Sequence, residues 1–201
     1  ALDTATATVR ISDILDGATW DPTQYIQRSG AADGWIGMKV NTYVYLFGSK
    51  TGEVWWNSGA YPIPFELHPS GRLQYGTAAG FSLEVVGTSL CWLGETVNGQ
   101  GSVLKTAGFS VETISNFALQ FAFGQYDTLE DAIGDSYEEN GHTFYILTFP
   151  RADKTWAWDS NNPDWCERST WNGTTYEYEA WRGIFHAFAF GEHRFLDLKG
   201  S

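Results

Sequence analysis

From Trp35 onward, apolar and polar residues alternate in short runs broken by Gly, Asn, Asp and Pro. The first runs are WIGMKVN, TYVYLFGS, TGEVWWNSG and PFELHPSG, which predict four antiparallel strands joined up and down over residues 35–72. GFSLEVVG, TSLCWLGE, GSVLKTAG and FSVETIS repeat the grammar over residues 80–115, with breaks at Gly-Thr-Ser, Asn-Gly-Gln-Gly and Ala-Gly. A third unit, residues 131–173, reads DAIGDSYEENG, HTFYILTFP, KTWAWDS and DWCERSTWNG, with a turn at Asn140-Gly141. In each unit the second strand is the most apolar.

Those second strands, YVYLFG, SLCWLG and TFYILTFP, recur about 45 and 55 residues apart, the spacing of propeller blades. A four-stranded sheet has two apolar faces, and stacking against neighbouring sheets around an axis hides both. Two strands precede the units (ATVRISDIL and TWDPTQYIQ) and two follow (GIFHAFAFG and HRFLDLKG). The expected fold is therefore all-β and propeller-like. It has three full blades and either a closing blade composed of residues 8–28 and 184–199 or half-blades belonging to a larger propeller. The segment SNFALQFAF interrupts the pattern and predicts a short helical turn capped by Ser115; Thr128 to Asp131 has the spacing of a weak capping box.

Composition sharpens this picture. Aromatics form 16% of the 201 residues, with 10 Trp and 22 Gly, which suits strands and tight turns and excludes a helical bundle. Twelve Lys and Arg against 24 Asp and Glu argue against a protein that grips nucleic acid, so DNA nearby should not be tightly held. No apolar run reaches the roughly 18 residues of a spanning helix, so no membrane association is expected. The opening ALDTATATVR has neither the basic start nor the apolar centre of a secretory leader. Cys91 and Cys166 lie among bulky strand residues and read as small buried apolar side chains rather than a disulfide.

Candidate chemistry is sparse. Glu130, Asp131, Asp135, Glu138 and Glu139 cluster in sequence, and Glu177 and Glu179 share a strand face, yet nothing singles out the facing pair that glycosidic cleavage needs. They read as solvated charges. His68, His142, His186 and His193 have no metal-ligand spacing; His186 and His193 stand across a turn and could share a metal, but a structural role is the better reading. Asn172-Gly-Thr is a sequon without wider support. Trp55, Trp56, Trp92, Trp156 and Trp158 fall in strands and are expected in the core. Trp20, Trp165, Trp171 and Trp181 lie nearer turns, where they would contact a partner or stack on sugars. No catalytic, cofactor or metal residues are assigned.

Several strings resemble the packaged-DNA stabilisation proteins of short-tailed bacteriophages. They are LFGSKTGEVWWNSG with PFELHPSG, SLCWLGETVNGQGSVLKTAGFSVETIS, residues 131–159, and WCERSTW, a resemblance running over about residues 17–195. The residues carrying it include Trp55, Trp56, Asn57, Trp92, Gly94, Gly141, His142, Phe149, Pro150, Trp156 and Asp159. The chain departs from the family at Cys91 and Cys166, where an aromatic and a histidine are expected. It is also shorter than the family's usual products. The resemblance implies a non-enzymatic virion protein at the portal and tail end of the capsid, present in the host cytoplasm during assembly. Such a protein would help to seal the portal exit, form a homo-oligomeric ring and contact the portal adaptor and the tail needle or plug. The rival reading is a carbohydrate-binding or glycan-cleaving propeller using exposed Trp and carboxylates.

Overall fold

A computed structural model of the chain describes residues 1–13, 15–28, 33–95 and 101–197. All strands pair antiparallel. The N-terminal sheet runs β1 (Leu2–Asp3), β2 (Thr8–Arg10), β3 (Tyr25–Gln27). The first blade is β4 (Gly37–Val40), β5 (Val44–Phe47), β6 (Gly52–Asn57) and β7 (Phe65–Leu73), in that spatial order. The second is β8 (Glu84–Val86), β9 (Ser89–Glu95), β10 (Gly101–Ala107) and β11 (Ser110–Thr113). The third has five strands, β12 (Ile133–Glu139), β13 (His142–Phe149), β14 (Lys154–Asp159), β15 (Trp165–Asn172) and β16 (Glu177–Ala180). A hairpin, β17 (Gly183–Ala189) and β18 (Glu192–Asp197), follows.

The all-β, blade-by-blade reading is what forms, and the packing shows why each second strand is apolar throughout. Along β9, Leu90 and Trp92 join a core with Tyr45, Phe47, Val54 and Leu73 of the first blade. Cys91 and Leu93 point the other way, into a core with Tyr145, Leu147, Phe149 and Trp158 of the third blade. Successive side chains of a strand face opposite sides, so a sheet buried on both faces needs an unbroken apolar run. In β5 and β13 the odd and even positions likewise divide between two cores, Val44 and Leu46 against the N-terminal sheet and Ile146 on the hairpin side. Fully burying one such side chain contributes about 1.5–3 kcal/mol.

Close approach between blades depends on glycine. A Cβ on Gly134 of β12 would run into the Ser82 carbonyl oxygen, in the 3-10 turn Gly80–Ser82 that leads into β8. At the β12–β13 turn, Asn140 and Gly141 both take positive φ, 52° and 81°, the backbone a tight two-residue hairpin demands.

Four expectations need correction. The composite closing blade does not form: β2 and β3 pair within their own sheet and β17 and β18 with each other. Each end is held by its neighbour in sequence instead. Val9 and Ile26 pack on Trp35, Val44 and Leu46, whereas Phe195 packs on Tyr137 of β12. Ile14, Leu198 and Lys199, which that expectation included, lie outside the described residues, as do residues 98–100 of the predicted Asn-Gly-Gln-Gly turn. The third blade extends past residue 173 through β16. The helix, Phe117–Phe123, is capped by Asn116, whose Oδ1 accepts from the Leu119 N–H at 2.9 Å. Ser115 serves the sheet instead, its Oγ accepting from the Val103 N–H at 3.0 Å. Thr128 only supports a turn, accepting from the Glu130 N–H.

Candidate functional site

The first strands of successive blades lie against one another, and polar contacts lace them together. Lys39 of β4 pairs with Glu84 of β8 at 2.7 Å. The Ser136 hydroxyl of β12 donates to the Val85 carbonyl of β8 at 2.9 Å, and the His186 N–H of β17 donates to Asp135 Oδ2 of β12 at 2.5 Å. The seam therefore runs β4, β8, β12, β17, as the axis-lining strands of a propeller do. The hairpin thus takes the next place along the seam, against β12, and does not complete the N-terminal sheet. Burial pushes the Asp135 carboxyl above its usual range, opposed in part by the Ser136 and His186 backbone N–H groups and reinforced by nearby Glu84.

The acidic cluster predicted from sequence is dispersed. Asp131 accepts from the Arg151 N–H at 2.8 Å, Asp135 lies in the seam, and Glu130, Glu138 and Glu139 are exposed. Glu138, Glu139, His186 and His193 border one cavity of about 550 Å3. Within it His186 Nε2 and His193 Nδ1 are 2.8 Å apart, a hydrogen bond that fills the space a shared metal would need. Among the described residues no group of three or more metal-type ligands comes together. His142 Nδ1 contacts Asp159 Oδ2 at 2.6 Å, tying β13 to β14, and His68 stacks on Phe109 at 4.0 Å. Asn172, the sequon residue, is engaged in its turn, accepting from the Thr174 N–H and donating to Glu179.

Trp92 and Trp158 are buried, as expected, and Trp156 is half-buried with its Nε1 on the Tyr126 hydroxyl at 3.0 Å. Trp56 is not in the core. The β6–β7 register shifts between Glu53 and Trp55, Trp55 takes the apolar side with Ile63 and Phe65, and Trp56 is turned outward. Asn57 accepts from the Gly59 N–H in the next turn. Gly94 and Phe149 are buried, and Pro150 is exposed where β13 ends. The turn tryptophans divide: Trp20 and Trp171 are exposed, whereas Trp165 donates from Nε1 to the Ile114 carbonyl at 2.8 Å and Trp181 packs on Phe195. Cys91 is buried and Cys166 is exposed, so only the first is the apolar filler that the sequence suggested; both are free thiols.

Laterally stacked blades, a polar seam of first strands and dispersed acids are scaffold features. The family model described as bacteriophage P22 Gp10, beta-propeller, a phage stabilisation family, matches residues 2–201. The chain belongs to that family. No curated protein matches it. Membership makes the protein a structural component of a phage, and the all-β architecture agrees with the family's propeller. No helix among the described residues is long and apolar enough to cross a membrane.

Proposed function

We propose that this P22 Gp10-type protein is a non-enzymatic component of the virion's tail end, which helps to seal the portal exit and so retain packaged DNA. Its partners on this reading are the portal adaptor and the tail needle or plug, with further copies of itself in a ring. Family membership over residues 2–201 carries the proposal. The fold supports it physically, because sheets buried on both faces and laced along the seam give a stiff body suited to resisting internal pressure.

The test is to interrupt the gene in its phage and follow the heads. Heads that fill with DNA but release it to added nuclease, and that recover on addition of the purified protein, are the expected result. Heads that stay nuclease-resistant without the protein would overturn the sealing role. The glycan-cleaving alternative gains nothing from the acidic cluster read in the sequence, whose Asp131 and Asp135 are tied to backbone N–H groups in different places.

A further inference from the structure

The third blade is wider than the one it packs against. The second blade reaches only the start of β15, where Trp165 donates to the Ile114 carbonyl; Glu167, Ser169 and Trp171 farther along that face are exposed, and among the described residues the second blade ends at β11 with no strand to lie over β16. Beyond Trp165, the same face of the sheet carries Trp171 and its cross-strand partner Tyr178. With Tyr176 from the connecting turn they form a ledge of rings 53%, 74% and 77% exposed, respectively. Trp171 meets Tyr178 and Tyr176 edge-to-face at centroid distances of 5.0 and 6.4 Å. The turn is braced by Asn172, which accepts from the Thr174 and Thr175 N–H groups, so the ledge is held ready.

Charge says what the ledge suits. Beside it lies a cavity of about 710 Å3 bordered by Tyr178, Asp153, Glu167, Glu179 and Lys154. Lys154 is held to Glu167 at 2.6 Å, leaving the border net acidic on a chain of charge −12. Ring faces and carboxylates together attract a guanidinium. The opposite face of the same strand already shows this chemistry, with Arg168 seated over the rings of Tyr137, Phe144 and Trp181.

We propose that the Trp171, Tyr176 and Tyr178 ledge, with its acidic border, is the docking surface for an arginine-bearing segment of another virion protein. The proposal rests on the structural role proposed above. Tyrosine and tryptophan anchors of this kind carry most of an interface's binding energy.

The experiment adds the full chain to particles purified from a phage lacking its gene and measures bound protein by sedimentation across a salt series. Trp171→Ala should weaken incorporation roughly tenfold or more. The paired change D153N/E167Q should flatten the salt dependence, and E66A on β7 should behave as the unaltered chain. A photo-crosslinker in place of Ser169, which borders the cavity and leaves the three rings intact, should capture a different virion protein through an arginine-containing peptide. Normal incorporation of Trp171→Ala overturns the ledge alone. A crosslink only to a second copy of this chain, or release of the bound chain by maltoheptaose, overturns the assigned occupant. Failure of the unaltered chain to join particles at all overturns both this proposal and the function on which it rests.

Discussion

The Tyr145 hydroxyl donates to the Ser82 carbonyl at 2.7 Å, joining the third blade to the turn that opens the second. Both residues are fully buried, so no water can replace the bond. Tyr145→Phe keeps the ring in its core and strips the carbonyl of this donor, a loss of about 1–3 kcal/mol. Urea unfolding should show a lowered midpoint with an unchanged slope; a variant as stable as the parent would mean that the contact contributes nothing.

Ser82 is also the neighbour that forbids a side chain at Gly134. Gly134→Ala drives a methyl into its backbone, and neither β12 nor the Gly80–Ser82 turn can move away without opening the seam. Overpacking of this kind costs about 1–3 kcal/mol. Alanine at Gly173, where a Cβ meets nothing within 4 Å, is the control and should unfold at the parent's denaturant midpoint.

The alternation that stacks the blades was legible in the sequence because burial on both faces forces unbroken apolar runs such as TFYILTF, and because Asn140-Gly141 has the chemistry of a two-residue turn. What was not legible depends on contacts distant in sequence. That β17 would lie on β12 rather than beside β2 shows only in contacts such as the Asp135 carboxylate with the His186 N–H, 51 residues away, and Tyr137 with Phe195. β16 was legible as a strand carrying Glu177 and Glu179 but not as part of the third blade, because TTYEYEA alternates exposed tyrosines with glutamates and has no fully buried residue to tie it to a core. Trp171 was singled out as a partner contact, but only the extra width of the third blade shows that none of the described residues covers it.

Asp135 gives the seam a pH dependence of definite sign. Burial raises its carboxyl above the ordinary value, so between the unfolded and folded pKa the folded state holds more protons. Its contribution to stability is therefore full below the ordinary carboxyl range and falls as pH rises through the raised value. Asp33 works in the opposite sense. Burial would raise it, but the Lys50 N–H and the Arg28 guanidinium hold it low, so its contribution is lost on acidification. The stability difference between Asp135→Asn and the parent isolates the first effect. It should move in the variant's favour as pH rises from below the ordinary carboxyl range to above the raised one, and a difference flat with pH would refute the assignment.

The two cysteines should be distinguishable by reactivity. Burial pushes the Cys91 thiol up to about 12, so it is both inaccessible and protonated at pH 8, whereas Cys166 is exposed on β15. A thiol-specific chromogenic reagent should titrate one thiol in the native protein and two in guanidinium. Cysteine 166 replaced by serine should leave no rapid native reaction; fast labelling in that variant would mean that the second blade opens readily.

If the protein seals the portal exit as proposed, its hold on the DNA is mechanical, not adhesive. With 24 acidic against 12 basic side chains, and several of the basic ones (Arg28, Lys39, Lys105, Lys154) already paired with carboxylates, little positive charge remains for phosphates. Non-specific DNA binding draws nearly all its affinity from such contacts and typically has dissociation constants of about 1–100 μM at physiological salt. At an ionic strength of about 0.15 M, repulsion between like charges is confined to roughly 8 Å, so it prevents sticking without holding DNA at a distance. Duplex DNA should therefore show no mobility shift at about 100 μM protein and that salt, the weak end of the non-specific range. A shift that saturates and fades as salt rises would reveal a basic surface and change the role from barrier to clamp.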